Sequence, residues 1–397
     1  MNNFEKNFFC ATLIMQPLLR LYGVSVIGGT FGDYFLIIIV AMIYLKNGSK
    51  LSVLKSRNEA LEFLPIMLCV IFNIFLTWNS TFDTGTQIIY WIRYIMYYFI
   101  LIYGIKKFFS VEIAFSIYKF LVVFCTFFMF IQLFAATFLG LYIPGQFGPF
   151  ALTNIEQQKN NFDIYANYNL FRPDSFFSEP SHYATFVSGF LVICSTYDIE
   201  KKNIFLMLFC TLGILISGST TGLVAVVLIW IVLIVKLLFK KNKIFYLVPI
   251  CFLGIIVLQF VAKTRSFQIM MTRTFSSQAA LSSRFDWLGT LNVLTTPNEW
   301  LFGLGNSSDV IQLTGWIPGW VIILVSYGVL GLCLFISAYI LLFFHVNKNG
   351  KIILVFFMLM GIGTELVADV YTLVILPFVL CNCTSRFMPV RLKKIIS

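Results

Sequence analysis

The residues best suited to chemistry lie in one short stretch, Arg172-Pro-Asp-Ser-Phe-Phe-Ser-Glu179-Pro-Ser-His182-Tyr-Ala184. The stretch combines a guanidinium, two carboxylates and an imidazole where a polar segment meets an apolar run, which predicts a helix from near Ser181. A carboxylate or an imidazole can take a proton from an attacking hydroxyl, and a guanidinium can hold phosphate oxygens through two parallel hydrogen bonds. Alternatively, Arg172 and Glu179 could form an interfacial ion pair at a helix start.

The composition around this stretch is that of a membrane protein. The chain has 397 residues, of which 59% are apolar and 11% are charged, whereas soluble domains carry about 25% charged residues. The net charge of +11 does not predict nucleic-acid binding, because lysine and arginine cluster in short loops between apolar runs. The nine cysteines lie in or at the end of apolar segments, so neither a metal site nor a disulfide framework is predicted.

The alternation of apolar runs and basic loops predicts an all-α, polytopic fold of about twelve transmembrane helices, forming one integral membrane domain over residues 1–397. With both termini cytoplasmic, no short loop on the outer side contains lysine or arginine. Two long polar segments, 143–180 and 263–315, then form large extracytoplasmic loops. The predicted later elements are a helix near 181–197, a helix pair hinged at 217–222, a run at 244–262, a helix ending at Phe344, and two short helices meeting near Glu365 and Asp369.

The second long segment contains a pattern typical of a helix start, Ser283-Arg-Phe-Asp286, followed by leucines that recur on one face. This pattern predicts an amphipathic helix that lies on the membrane surface and ends before Pro297. A helix N-terminus attracts anions, and Arg284 and Arg273 could add phosphate-binding groups. Alternatively, these arginines could extend toward anionic lipid headgroups without binding a substrate.

Two arginines, Arg20 and Arg93, lie inside predicted membrane helices, where a charge normally belongs to a functional site or to a buried ion pair. Carboxylates expected at a similar depth are candidate partners for them: Asp33, Asp83, Glu365 and Asp369. We interpret Arg20, Arg93, Glu365 and Asp369 as intramembrane support for the site, and structural pairing explains both arginines without a role in catalysis.

Three motifs together resemble the bacterial O-antigen and capsular polysaccharide polymerases of the Wzy type, which are related to the O-antigen ligases. The first is the stretch 172–184, in which an arginine precedes a Glu-Pro-polar sequence that enters a helix. The second is the small-residue hinge 217–222, although many relatives carry an arginine where this chain has Thr220 or Thr221. The third is Arg284…Trp287…Pro297…Trp300-Leu-Phe-Gly-Leu-Gly305, followed by Tyr327-Gly-Val-Leu-Gly331. The resemblance in topology covers nearly the whole chain.

The resemblance implies a metal-independent glycosyltransferase, with no cofactor, on the outer face of the bacterial inner (plasma) membrane. Glycans linked to undecaprenyl pyrophosphate would be donor and acceptor, surrounded by membrane lipid, and a chain-length regulator is a further candidate partner. The acceptor hydroxyl needs a base, for which Glu179 or His182 is suitable, and Glu179 is the preferred candidate. The leaving pyrophosphate needs fixed positive charge, which Arg172, Arg273 and Arg284 could supply. His182 could instead only form a hydrogen bond at the interface.

Two other functions remain as alternatives. Ligases typically carry a histidine just before the helix that starts here near Trp316, and the sequence Leu313-Thr-Gly-Trp-Ile-Pro-Gly319 has none. A flippase or another transporter of lipid-linked oligosaccharides would place polar groups at the bilayer midplane. The two long outer loops with their arginines favour the polymerase.

Overall fold

The computed structural model describes residues 3–23, 29–47, 59–77, 84–146, 151–152, 171–196, 201–238, 291–305, 317–364 and 369–381, together with residues 259, 262–263, 267–268, 271 and 289. The amphipathic helix predicted from Ser283 and most of the apolar run predicted at 244–262 lie outside these residues. The same holds for Arg273, Arg284, Glu365 and Asp83.

The described chain is almost entirely helical. Its α-helices are α1 (Asn3–Leu19), α2 (Phe31–Asn47), α3 (Leu64–Thr77), α4 (Thr84–Phe99), α5 (Ile105–Phe108), α6 (Val111–Phe134), α7 (Pro180–Thr196), α8 (Lys201–Ile216), α9 (Thr220–Leu238), α10 (Pro297–Phe302), α11 (Gly319–His345), α12 (Lys348–Gly363) and α13 (Tyr371–Leu380). Short 3-10 helices cover Glu59–Phe63 and Leu291–Val293, and π-helical turns cover Ile100–Gly104 and Ala135–Leu139. Two residues of β1 (Tyr22–Gly23) pair antiparallel with β2 (Ala151–Leu152).

Within the described ranges, three helices are long and apolar enough to cross a membrane: Gln87–Phe108, Val111–Leu139 and Gly319–His345. Apolar helices of lesser length accompany them, at Leu61–Leu76, Ile204–Ile216, Thr220–Val235 and Tyr371–Leu380. Large apolar side chains such as Phe75, Phe120 and Phe344 are exposed on the outside of the bundle, as expected where lipid replaces water as the solvent. The predicted class, an all-α membrane protein, is therefore confirmed in its coarse form.

Several helix positions predicted from the sequence are confirmed. The helix expected near 181–197 is α7, which begins at Pro180 and ends at Thr196. The helix pair expected to turn at 217–222 is α8 and α9, and the two short helices expected to meet near residues 365–369 are α12 and α13.

Polar contacts cluster at two opposite ends of the helices. At one end, Lys46 Nζ lies 2.8 Å from the Glu5 carboxylate and Lys107 donates to the Lys46 carbonyl. His345 Nδ1 lies 2.6 Å from the Glu62 carboxylate at the C-terminal end of α11. The charge pattern of the sequence predicts this end to be cytoplasmic. The other end contains the N-termini of α2, α7, α9, α11 and α13, and we call it the outer end.

Helix α11 is broken about a third of the way along, at Gly328 (φ 67°, ψ −173°). The carbonyls released by the break have new partners: the Leu304 amide donates to Val325 and the Gly305 amide to Ser326. The Asn73 side-chain amide on α3 donates to the carbonyls of Phe302 (2.8 Å) and Ser326 (3.2 Å). A break is tolerated inside an apolar helix because its polar backbone groups are satisfied in this way.

Helix α10 packs against this break and has a complete capping box. Thr296 Oγ1 accepts from the Glu299 amide, and the Glu299 carboxylate accepts from the Thr296 amide. The bonds from the Thr296 and Thr295 amides hold the pKa of the exposed Glu299 carboxyl below its usual value. A lowered pKa means that the cap is formed at neutral pH and is lost as the pH falls through that pKa.

Replacing Gly328 by alanine should destabilise the protein by about 3 kcal/mol, from overpacking and from the strain of a positive φ with an extended ψ, a combination essentially confined to glycine. A Cβ atom at this position would lie 2.3 Å from the Leu301 carbonyl oxygen. Gly140 is a comparison position: its φ is also positive (63°), but its ψ of 22° lies in the αL region, where alanine is less strained than at Gly328, and a Cβ there meets no atom within 4 Å. Thermal unfolding of the purified protein in detergent should show a clearly larger loss for Gly328→Ala than for Gly140→Ala. Equal losses would show that the packing of α10 on the break contributes little.

Candidate functional site

The stretch that precedes α7 is a buried loop with a fixed shape. Gln132, fully buried on α6, accepts from the Ser175 amide (2.8 Å) and donates to the Asp174 carboxylate (3.3 Å). The Ser175 hydroxyl donates to the Cys125 carbonyl at 2.7 Å. These bonds hold Ser175 in the left-handed conformation (φ 58°), which is uncommon for residues other than glycine. The loop therefore rests on α6.

Close packing supports the same loop from α6, from α7 and from the segment around Gly145. Phe176 stacks on Phe128 of α6 with ring centroids 4.2 Å apart, and Phe177 contacts Phe186 of α7. Gly145 approaches so closely that a Cβ atom there would lie 1.8 Å from the Ser175 carbonyl oxygen. Only glycine fits this contact without a shift of the backbone.

Glu179 and His182 stand at the N-terminus of α7, as predicted. Pro180 is the first helical residue, and the Glu179 carbonyl accepts from the amides of His182 (3.1 Å) and Tyr183 (3.3 Å). Each functional side chain is bonded to a serine: Ser181 Oγ donates to Glu179 Oε2 at 2.7 Å, and Ser178 Oγ lies 2.8 Å from His182 Nδ1. Both side chains are half-buried. Their orientations are thus set by local hydrogen bonds.

Arg172 connects this loop to the turn between α8 and α9. Its guanidinium donates to the Gly218 carbonyl at 3.3 Å, inside the small-residue hinge 217–222. Two motifs that lie more than forty residues apart in sequence therefore meet at the outer end. The interfacial ion pair of Arg172 with Glu179 considered from the sequence stays a hypothesis.

The start of α13 closes the site on another side. The Tyr371 hydroxyl donates to the His182 carbonyl at 3.0 Å, and Asp369, two residues earlier, forms an ion pair with Arg20 at the end of α1. The Asp369 carbonyl also accepts from the Thr372 amide. The N-termini of α7 and α13 are therefore held together, with a charged pair beside them.

Arg93 has its own partner. Its guanidinium donates to both carboxylate oxygens of Asp33, at 2.7 Å and 2.6 Å, and Thr30 adds two further hydrogen bonds to the same carboxylate. Tyr97 on α4 interacts electrostatically with Arg20, Asp369, Arg93 and Asp33. The two ion pairs consequently form one cluster around Tyr97, and structural pairing explains both arginines.

The arrangement can supply three elements of group-transfer chemistry at one place. A half-buried carboxylate and a half-buried imidazole both lie at the start of α7, and the N-terminus of α7 contributes a partial positive charge. Arg172 adds a full positive charge next to the loop. Of the predicted site residues, Glu179 and His182 share the start of α7, Tyr371 joins His182 to the start of α13, and Asp369 at that start pairs with Arg20. Arg172 precedes Glu179 in the same loop and contacts the hinge at Gly218, and Arg93 pairs with Asp33.

The predictions missed the residues that hold this site together, chiefly Gln132, Tyr371, Ser178 and Gly145. One signal was available, since a glutamine inside an apolar helix requires a partner in the bundle. Gln132 interrupts the apolar run of α6 in this way, and Asn73 interrupts α3. The sequence alone does not indicate which partners they find.

The fold and the site define a helical membrane protein with a polar, charged site at one end of the bundle. Comparison with known protein families and with curated proteins finds no match to this chain.

Proposed function

We propose that this protein polymerises oligosaccharide repeat units linked to undecaprenyl pyrophosphate into O-antigen or capsular polysaccharide. The reaction takes place on the outer face of the bacterial inner membrane and needs neither a metal ion nor a cofactor. The observation that carries the proposal is the grouping of Glu179, His182 and Arg172 at the outer end of an apolar bundle. The resemblance of three motifs to the Wzy-type polymerases supports the same function.

In the proposed reaction, a hydroxyl of the acceptor sugar attacks the anomeric carbon of the donor glycan. Glu179 removes the hydroxyl proton, and His182 supports the acceptor. The bond from the anomeric carbon to the pyrophosphate oxygen breaks, and the leaving group departs with an additional negative charge. Arg172 stabilises this charge, together with Arg273 and Arg284 of the second outer segment.

The geometry around Arg172 suits this role. A guanidinium carries five N–H donors in a rigid plane, and the bond to the Gly218 carbonyl orients that plane. The nearby N-terminus of α7 adds to the positive potential.

The full architecture is part of the proposal. We propose that the other apolar segments also cross the membrane, which brings the number of spans to about twelve. Both termini are then cytoplasmic. The segments 143–180 and 263–315 then face outward. A chain-length regulator would be a partner at this outer surface, and membrane lipid surrounds the bundle.

A deletion strain tests the function directly. Without the protein, long glycan ladders on gels should disappear while a single repeat unit remains attached to its final acceptor, and a plasmid copy should restore the ladder. Loss of the single repeat as well would indicate a ligase or a flippase. An unchanged ladder would contradict the proposed function.

Arg172→Ala and Arg172→Lys should each reduce polymerisation by a factor of about 10²–10³, the typical loss when one group that stabilises developing charge is removed. Lysine should rescue poorly, because an ammonium cannot bind both the Gly218 carbonyl and a phosphate in one plane. The ladder should be measured at equal amounts of membrane-inserted protein. Full activity of the lysine variant would show that only a charge is needed, and full activity of both would remove Arg172 from the site.

A further inference from the structure

An elongated apolar groove runs between α3 and α11 on the outside of the bundle. It has a volume of about 430 Å³, within the usual range for sites that bind small molecules. One side follows α3 from Pro65 to Leu76, and the other is formed by α11 at and below its break. At 1.5 Å per residue the wall on α3 is about 17 Å long, roughly half the thickness of the hydrocarbon core of a bilayer.

The side chains at the groove mouth are apolar and exposed. Phe72 and Phe75 on α3 are 61% and 73% exposed, and Leu330 on the facing wall is 48% exposed. Helix α11 is one of the three helices long and apolar enough to span a membrane, so this surface borders hydrocarbon. An apolar groove of this kind suits a hydrocarbon chain, because a polar group placed there would lack hydrogen-bond partners.

The groove is formed by fixed elements. Asn73 lies in its wall and holds α10 and the broken part of α11 through the Phe302 and Ser326 carbonyls. The Trp91 indole on α4 donates to the same Asn73 side chain at 3.3 Å. Because these bonds fix the positions of α3, α10 and α11, the groove exists before a ligand enters.

The inner wall of the groove leads to the charged cluster. Tyr327 lines the groove and contacts Tyr94 of α4 edge to face, with ring centroids 5.9 Å apart. Tyr94 in turn interacts electrostatically with Asp369 and Arg20, the pair beside the start of α7. The Tyr327 and Tyr94 rings thus connect the groove wall to the surroundings of the Arg20–Asp369 pair.

We propose that this groove holds the polyprenyl chain of the lipid-linked glycan, so that the attached pyrophosphate is directed toward the outer end. This inference rests on the proposed function, which requires a polyprenyl substrate. The aromatic faces of Phe72, Phe75 and Phe302 suit the methyl branches of such a chain. Seating the chain restricts where the pyrophosphate can lie, which lowers the entropic cost of placing it at the site.

Photo-crosslinking on the purified full-length protein in lipid nanodiscs tests the proposal. One probe is a polyprenyl pyrophosphate with a diazirine in its chain, and the other is a phospholipid with a diazirine in an acyl chain. The polyprenyl probe should label residues 65–76 and 327–334, and excess unlabelled polyprenyl pyrophosphate should compete. Leu330→Trp, which fills the groove, should lower this labelling at least tenfold, whereas Val329→Trp, exposed on the adjacent position outside the groove, should not. Leu68→Trp fills the groove from the α3 side and provides a second variant if the first does not fold.

Two results would overturn the proposal. One is equal labelling by the phospholipid probe, with no competition by unlabelled polyprenyl pyrophosphate. The other is labelling by the polyprenyl probe that Leu330→Trp and Leu68→Trp leave unchanged. The binding readout is independent of the polymerisation assay. If the deletion strain loses its ladders but the groove is not labelled, the inference fails alone. If the groove binds the polyprenyl chain selectively but the ladders persist without the protein, the proposed function fails instead.

Discussion

Replacing Glu179 by glutamine is expected to reduce polymerisation by a factor of about 10²–10⁴, the usual contribution of a general base. Glutamine is nearly the same size and can still accept from the Ser181 hydroxyl, so the start of α7 should remain intact. What it cannot do is take a proton from the acceptor sugar. The glycan ladder of the deletion strain, complemented with each variant at equal protein level, measures the effect.

Two further variants show whether the loss of polymerisation is specific to the Glu179 carboxylate. His182→Gln removes the imidazole bonded to Ser178 and should reduce activity far less than Glu179→Gln. Glu299→Gln changes another carboxylate at a helix start, in the second outer segment, and should leave activity unchanged because glutamine also completes a capping box. The reverse ranking of Glu179 and His182 would assign the base to the histidine, and full activity of both variants would place the chemistry elsewhere.

Replacing Asp369 by alanine should lower the stability of the protein by about 3 kcal/mol, the typical cost of breaking a buried ion pair by removing one partner. The Arg20 and Asp369 side chains are only 25% and 21% exposed. The substitution removes the carboxylate that pairs with the Arg20 guanidinium, whose position is fixed at the end of α1. Thermal unfolding in detergent, followed by loss of the monodisperse protein peak, should show a markedly lower midpoint.

The double variant Arg20→Leu with Asp369→Ala should recover part of this loss, because no uncompensated cation then remains. Glu5→Ala is the comparison: it breaks the ion pair with Lys46, whose side chain is 51% exposed whereas that of Glu5 is 19% exposed. The lysine that remains can reach water, so the loss should be smaller than for Asp369→Ala. A loss for Asp369→Ala no larger than that for Glu5→Ala would show that the Arg20 pair does not support the outer end.

Much of the fold was accessible from the sequence, because apolar run length and the placement of basic loops are local properties. They located α7, the α8–α9 turn and the pair α12 and α13 within a few residues. The break in α11 was not predicted. Gly328 lies within an uninterrupted apolar run, and the bonds that make a break possible come from Asn73 and from Leu304 and Gly305.

Only the part of the candidate site that depends on local sequence was predicted. Glu179, Pro180 and His182 are neighbours, so their placement at a helix start follows from local rules. The carboxylate partners of Arg20 and Arg93 could be narrowed to a few by depth in the membrane, but the choice among them depends on which helices touch. The contacts of Arg172 with Gly218 and of Tyr371 with His182 depend on packing between distant segments, which no local pattern encodes.

The pairing of Arg20 with Asp369 has a consequence for how the protein is made. The two residues are 349 positions apart, so at about 5–20 residues per second the ribosome needs roughly 20–70 s to reach the aspartate after the arginine has been synthesised. During that time α1 must be retained at the insertion machinery or in the bilayer without the carboxylate that pairs with it in the finished protein. Completion of the charged cluster at the outer end is therefore a late event in biogenesis. A nascent chain arrested before α13 should remain more accessible to membrane proteases than the full-length product.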